Sequence, residues 1–151
     1  MMIEFKNTVY NIKITFRCYF KYEQIVKRPF DINNFNPNAW MYSILKASNK
    51  DFEFTFGDFN EIISQNELKL NEFIDLFHKE IERQQKENNS VFLLNKREDT
   101  NELISTEDIY VILVRDYKFS PIYLFDEASI DEINLLIKDY YEKENSNMVA
   151  I

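Results

Sequence analysis

Any chemistry in this chain would have to run through very few side chains. His78 is the only histidine and Cys18 the only cysteine among 151 residues. A metal centre or a nucleophilic triad needs several His, Cys or carboxylate groups converging on one point. His78 stands between Phe77 and the pair Lys79-Glu80, the setting of a surface histidine on an amphipathic helix. A Cys18–His78 nucleophile and base would need two residues far apart in sequence to meet. Glu80, Glu82 and Glu87 are interleaved with Lys79, Arg83 and Lys86, the mixed-sign pattern of a solvated helix face. Glu98-Asp99 and Glu107-Asp108 lack the spacing and glycine of a calcium loop. Paired carboxylates of the glycosidase kind converge only in three dimensions, so the sequence leaves them open.

Glycine narrows the field further. Gly57 is the only one, where ordinary usage of ~7% would supply roughly ten. Phosphate-cradling loops and nucleophile elbows need glycine where backbone approaches a ligand or takes positive φ. P-loop and Rossmann signatures are therefore excluded. The expectation is a chain with no catalytic residue, no cofactor and no metal ligand: not an enzyme but a binding protein.

Composition says what it could bind. The chain is 45% hydrophobic and 16% aromatic, with 14 Phe and 9 Tyr, too apolar to be disordered. Aromatics fill cores, and they also fill the centres of protein interfaces. Residues 1–50 hold eight Lys/Arg and three Asp/Glu, a balance of +5, whereas residues 51–151 hold ten and twenty-three, a balance of −13. That acidic bulk disfavours nucleic acid and suits a basic protein partner or head-to-tail self-association into a homo-oligomer. A lone cysteine forms no internal disulfide. Met1 to Phe20 is broken by Glu4, Lys6, Lys13 and Arg17, unlike a signal peptide. No apolar run reaches the ~20 residues of a membrane span. A cytoplasmic protein with no membrane contact is expected.

The elements that would position a binding surface are mostly helices. Scarce Gly and only three Pro argue against a turn-rich β-sandwich. Ile3 to Ile14 reads as a short hairpin turning at Asn7-Thr8. Thr15 caps a helix running to about Arg28, with Cys18, Tyr22, Ile25 and Val26 on one stripe, and Pro29 stops it. Pro37 opens a helix with Trp40, Met41, Ile44, Leu45 and Ser48 inward. Phe52 to Phe56 is a short strand or an extended lead-in, with Thr55 and Asp58 at capping-box spacing for a helix over 57–64. A helix over 69–85 carries Leu70, Phe73, Ile74, Phe77 and Ile81 on one face. Residues 86–105 read as a linker with one apolar segment, Val91 to Leu94. A smaller helical module spans 106–144: Thr106 caps a helix to about Asp116, Ser120-Pro121 opens a turn, and Ser129 with Glu132 boxes the last helix. Residues 145–151 are expected to be a disordered tail. The fold class is thus mainly α with minor β: an N-terminal hairpin and helical bundle over 1–85, then the small C-terminal module.

Two stretches resemble a known family. Residues 11–30 read NIKITFRCYFKYEQIVKRPF, and residues 41–63 read MYSILKASNKDFEFTFGDFNEII, followed by an acidic helix ending in EIERQQ. This order resembles the tail assembly chaperones of long-tailed bacteriophages. It has a hairpin, a helix opening on Phe16-Arg17, a helix with small residues, and a Thr55-x-x-x-Phe59 approach to a further helix. Residues 107–141, EDIYVILVRDYKFSPIYLFDEASIDEINLLIKDYY, resemble the extension such phages add by ribosomal frameshifting: a helix, a Gly-Trp-Ser-Pro-like turn, then an acidic helix. Lys118 and Phe119 stand where Gly and Trp are expected, a departure from the pattern. The resemblance implies a non-enzymatic role in the host cytoplasm: binding the tape measure protein, keeping its helices soluble, and recruiting tail tube subunits. The alternative is an acidic immunity or antitoxin-type protein that plugs a basic target.

A chaperone for a long amphipathic helix needs an apolar groove with a charged rim. Groove candidates are Phe73, Phe77 and Ile81, with Phe16, Phe20 and Trp40. In the C-terminal module Phe119, Pro121, Tyr123 and Phe125 crowd one short turn and form the expected docking patch.

Overall fold

The computed structural model describes residues 1–88 and 103–149. It is mainly α with one small hairpin. β1 (Met2–Phe5) and β2 (Thr8–Asn11) pair antiparallel, Ile3 opposite Tyr10 and Phe5 opposite Thr8. The turn is Lys6-Asn7, one residue earlier than expected, with φ of 51° and 63°. A two-residue turn matched to strand twist needs positive φ at both positions, which asparagine tolerates and a β-branched threonine does not. Thr8 therefore falls into the strand. Ile3, Phe5 and Tyr10 point into the core, and Met2, Glu4 and Val9 point out.

α1 (Phe16–Val26) follows Thr15, whose backbone N–H donates to the Cys18 sulfur at 3.4 Å. The thiol in turn lies 3.4 Å from the Lys13 carbonyl, so the single cysteine closes a helix start. Lys27 ends α1 in the left-handed region, φ 66°. α2 (Pro37–Ser48) is capped by Asn36, which accepts from Ala39 N–H at 3.1 Å. All of Ala39 to Leu45 is buried, including Tyr42 and Ser43, which fall off the expected stripe. α2 is the central helix, wrapped by α1, the hairpin and the two helices that follow, so it has no solvent face over these turns.

No strand forms over 52–56. Residues 52–55 have no regular structure and lead to Thr55, extended at its backbone, which caps α3 (Phe56–Ser64) by accepting from Asp58 N–H at 3.2 Å. α4 (Glu67–Asn88) starts two residues before the expected 69, at an Asn66 cap, and continues past 85. Of the expected linker, residues 89–102 lie outside the described residues.

α5 (Thr106–Arg115) is capped by Ser105, not Thr106: the Ser105 hydroxyl accepts from Asp108 N–H at 3.0 Å. Thr106 is the first helical residue, its side chain buried and its N–H donated to the Glu23 carboxylate of α1 at 2.6 Å. α6 (Pro121–Asp126) starts at Ser120, and α7 (Ile130–Val149) starts at Ser129. α7 runs past Glu142, where fraying and a tail were expected; neither Gly nor Pro follows Pro121 to stop it.

Two aromatic clusters make the core of residues 1–88. Trp40 gathers Tyr19 (5.0 Å), Tyr22 (5.8 Å), Phe30 (4.3 Å) and Phe77 (5.6 Å) between centroids. Phe52 gathers Phe5, Tyr10, Tyr42 and Phe59 under the hairpin. Ile109, Leu113, Leu124, Ile133 and Ile137 are buried among α5–α7. These helices sit on α1 through Phe125, whose ring lies 5.5 Å from Phe16 and 5.4 Å from Phe20. The Arg17 guanidinium lies 5.0 Å over the same ring and grips Asp126 with two hydrogen bonds, 2.8 and 3.0 Å.

Candidate protein-docking site

The expected groove residues are core. Trp40 and Phe73 are 0% exposed and Phe77 is 1%. Phe16 is buried as well, Ile81 is half-buried against the same core, and Phe20 is half-buried against Phe125. The stripe at 70, 73, 74, 77 and 81 has one use, and packing against α2 and α3 takes it. Phe125 is corrected in the same sense: it is the ring that seats α6 on α1 rather than an open patch.

What remains outside is the turn and first helical residues of α6. Pro121 is exposed, Ile122 is 74% exposed and Tyr123 is 37% exposed. Phe119 is half-buried, its ring 5.5 Å from Tyr123 in an edge-on arrangement. It supports the tyrosine more than it offers a surface of its own.

The turn is held at every corner. Lys118 takes φ 58°, and the Phe119 N–H then reaches back to the Leu113 carbonyl at 3.0 Å. The Ser120 hydroxyl accepts from Tyr123 N–H at 3.2 Å. Tyr123 donates its hydroxyl to Glu132 at 2.7 Å, and Tyr117 donates to Asp139 at 2.9 Å. Burial, and then the Asp139 hydrogen bond, push the Tyr117 phenol up to about 12. The hydrogen bond to Glu132 raises Tyr123 too. Both phenols thus stay protonated donors at neutral pH. The Lys143 ammonium and then Tyr117 hold Asp139 below the usual carboxylate range.

Lys118 gives a first prediction. A side chain in the left-handed region costs roughly 1 kcal/mol, which glycine avoids. Lys118→Gly should raise the unfolding free energy by up to about 1 kcal/mol in urea titrations. A loss of stability would mean that the lysine side chain, not the backbone, holds this turn.

The Arg17–Asp126 pair gives a second. Its hydrogen bonds to Arg17, ahead of the charge attraction, depress the Asp126 pKa. A group lowered in the folded state stabilises fully above its unfolded value of about 3.9 and stops doing so as pH falls through the folded value. The side chains are 37% and 46% exposed, so solvent screening limits the contribution to about 1 kcal/mol at most. Asp126→Asn should lower neutral-pH stability by that order, and the gap from the natural chain should close as pH falls below 4. A gap unchanged at pH 2 would show that the charge has no part in it.

Two exposed apolar residues of α6 and α7 are absent from the sequence-based expectation: Ile122, and Leu135 on α7, 68% exposed. Leu135 carries a usable signal, since it lies off the Ile133, Leu136, Ile137, Tyr140 stripe. An apolar side chain off the buried face has no place in the core.

Elsewhere, an open cleft of about 970 Å³ lies between the hairpin base, α4 and the α6–α7 turn, with Lys13, Lys79, Asp126 and Glu127 among its walls. Among the described residues no cluster of three or more His, Cys, Asp or Glu could hold a metal ion, and no helix is long and apolar enough to cross a membrane. Comparison with protein-family models, curated proteins and solved structures finds no match to this chain.

Proposed function

We propose that this chain is a non-enzymatic, protein-binding assembly chaperone of the phage-tail type, acting in the host cytoplasm. In this reading it binds the helices of a tape measure protein and recruits tail tube subunits. The observation that carries the reading is the α6 turn. It presents Ile122 and Tyr123 to solvent while Ser120, the Leu113 carbonyl, Glu132 and α1 hold it in one shape. Large side chains on a pre-ordered support lose little freedom on binding, so more of their contact energy appears as affinity.

Two further points support the family resemblance. The elements stand in the order it requires: hairpin, Phe-Arg helix, central helix, Thr-capped helix and long helix, then helix, Ser-Pro turn and acidic helix. The departure at Lys118 is also informative. The residue that replaces the expected glycine adopts the left-handed backbone that glycine is used for.

Co-expression with the tape measure and tail tube proteins of the same genome tests the proposal. Both should co-purify with the chain, and the tape measure protein should stay in the soluble fraction only when the chain is present. Recovery of a basic toxin instead would assign it the immunity role.

A further inference from the structure

The α6 turn does not stand alone. On α7, Glu132 and Asp139 are separated by i, i+7, so they share one face at a spacing of about 10.5 Å. Each accepts a tyrosine hydroxyl, Glu132 from Tyr123 and Asp139 from Tyr117. Leu135 falls between them along the axis and on the solvent side of their line, and it is 68% exposed. The exposed Leu135 is therefore bracketed on α7 by two carboxylates two helical turns apart, one of which, Glu132, accepts the hydroxyl of the exposed Tyr123 of the α6 turn.

The bracket is acidic beyond those two groups. Residues 103–149 carry ten Asp/Glu against four Lys/Arg, a balance of −6. Of the four cations, Arg115 is committed to Asp116 at 3.0 Å, Lys143 is paired with Asp139 at 3.0 Å, and Lys118 and Lys138 are exposed, one on the turn and one on α7. Glu127 is exposed at the end of α6. A tyrosine hydrogen bond leaves the second oxygen of Glu132 able to accept from a cation.

We infer that the α6–α7 face takes an amphipathic helix whose apolar stripe is flanked by lysine or arginine at i and i+7. This rests on the docking role of the α6 turn and adds the chemistry of its partner. One cation meets Glu132, the other shares Asp139 with Lys143, and the intervening apolar residues cover Leu135 and Tyr123. Charge complementarity of this kind sets partner choice and register, while the apolar contact supplies affinity.

Three synthetic helical peptides test it against the full chain by fluorescence anisotropy. All share one leucine stripe; the flanking i and i+7 positions carry lysine, glutamine or glutamate. The lysine peptide should bind on the order of tenfold tighter than the glutamine peptide, the glutamate peptide should not bind, and the advantage should shrink as salt rises. Leu135→Ser should weaken the lysine peptide on the order of tenfold, while Leu68→Ser, exposed elsewhere on α4, should not change it. Equal binding of the lysine and glutamine peptides overturns this inference but leaves the docking turn intact. Lysine-peptide binding that ignores Leu135→Ser overturns it as diffuse attraction to an acidic surface. No binding by any peptide overturns both readings. A dimer of the natural chain in sedimentation, dissociated by Leu135→Ser, would give the face to a second copy instead.

Discussion

Trp40→Ala should lower the unfolding free energy by about 3–5 kcal/mol, the usual cost of truncating a large buried aromatic. The ring is 0% exposed and sits in contact with Tyr19, Tyr22, Phe30 and Phe77, drawn from α1, the loop after it and α4. Its loss therefore opens a cavity at the junction of three segments that cannot all close over it. Domains of this size have roughly 5–15 kcal/mol in total, so the variant should melt far earlier or fail to fold. Urea denaturation followed by circular dichroism measures it. A cost below about 1 kcal/mol would mean that Trp40 has the surface role a binding groove would give it.

The opposite behaviour is expected at the α6 turn. Ile122→Ser with Tyr123→Ala should fold as the natural chain does and lose its client by on the order of 2 kcal/mol or more. Both side chains are exposed, so little core packing leaves with them. What folding loses is the Tyr123–Glu132 hydrogen bond, a contact at the surface that water replaces. Phe119 is left in place because it is half-buried and its truncation would mix folding with binding. The paired readout is a melting curve and client capture from the co-expression lysate. Normal capture with a normal melt would remove the turn from the binding surface.

The contrast between these variants shows where sequence was legible. Helix starts were written locally: Pro37, Thr55, Ser120-Pro121 and Ser129 each open the element expected of them, because a helix start is set by residues within about three positions of one another. The hairpin was legible as an element and slipped by one residue at its turn. The Ser105 cap was hidden by Thr106, an equally good capping residue in the next place; only Glu23, distant in sequence, shows that Thr106 is already inside the helix.

The site was less legible for a physical reason. Periodicity tells that Phe73 and Phe77 share a face, but not whether that face meets the same chain or another one. Seven consecutive buried positions on α2 required it to be surrounded, and a surrounding of α1, α3 and α4 consumed the stripe. Phe125 likewise went to α1, through Arg17 and Asp126, a contact between residues more than a hundred apart. Residues off every stripe, Ile122 and Leu135, were left outside. In a small helical chain those exceptions mark the surface better than the stripes do.

Isothermal titration of the purified chain with a purified helical segment of the tape measure protein tests the central proposal most directly. The account predicts saturable binding that is lost with Ile122→Ser, Tyr123→Ala and retained with Leu68→Ser. No heat of binding, with the segment aggregating equally with and without the chain, would contradict it.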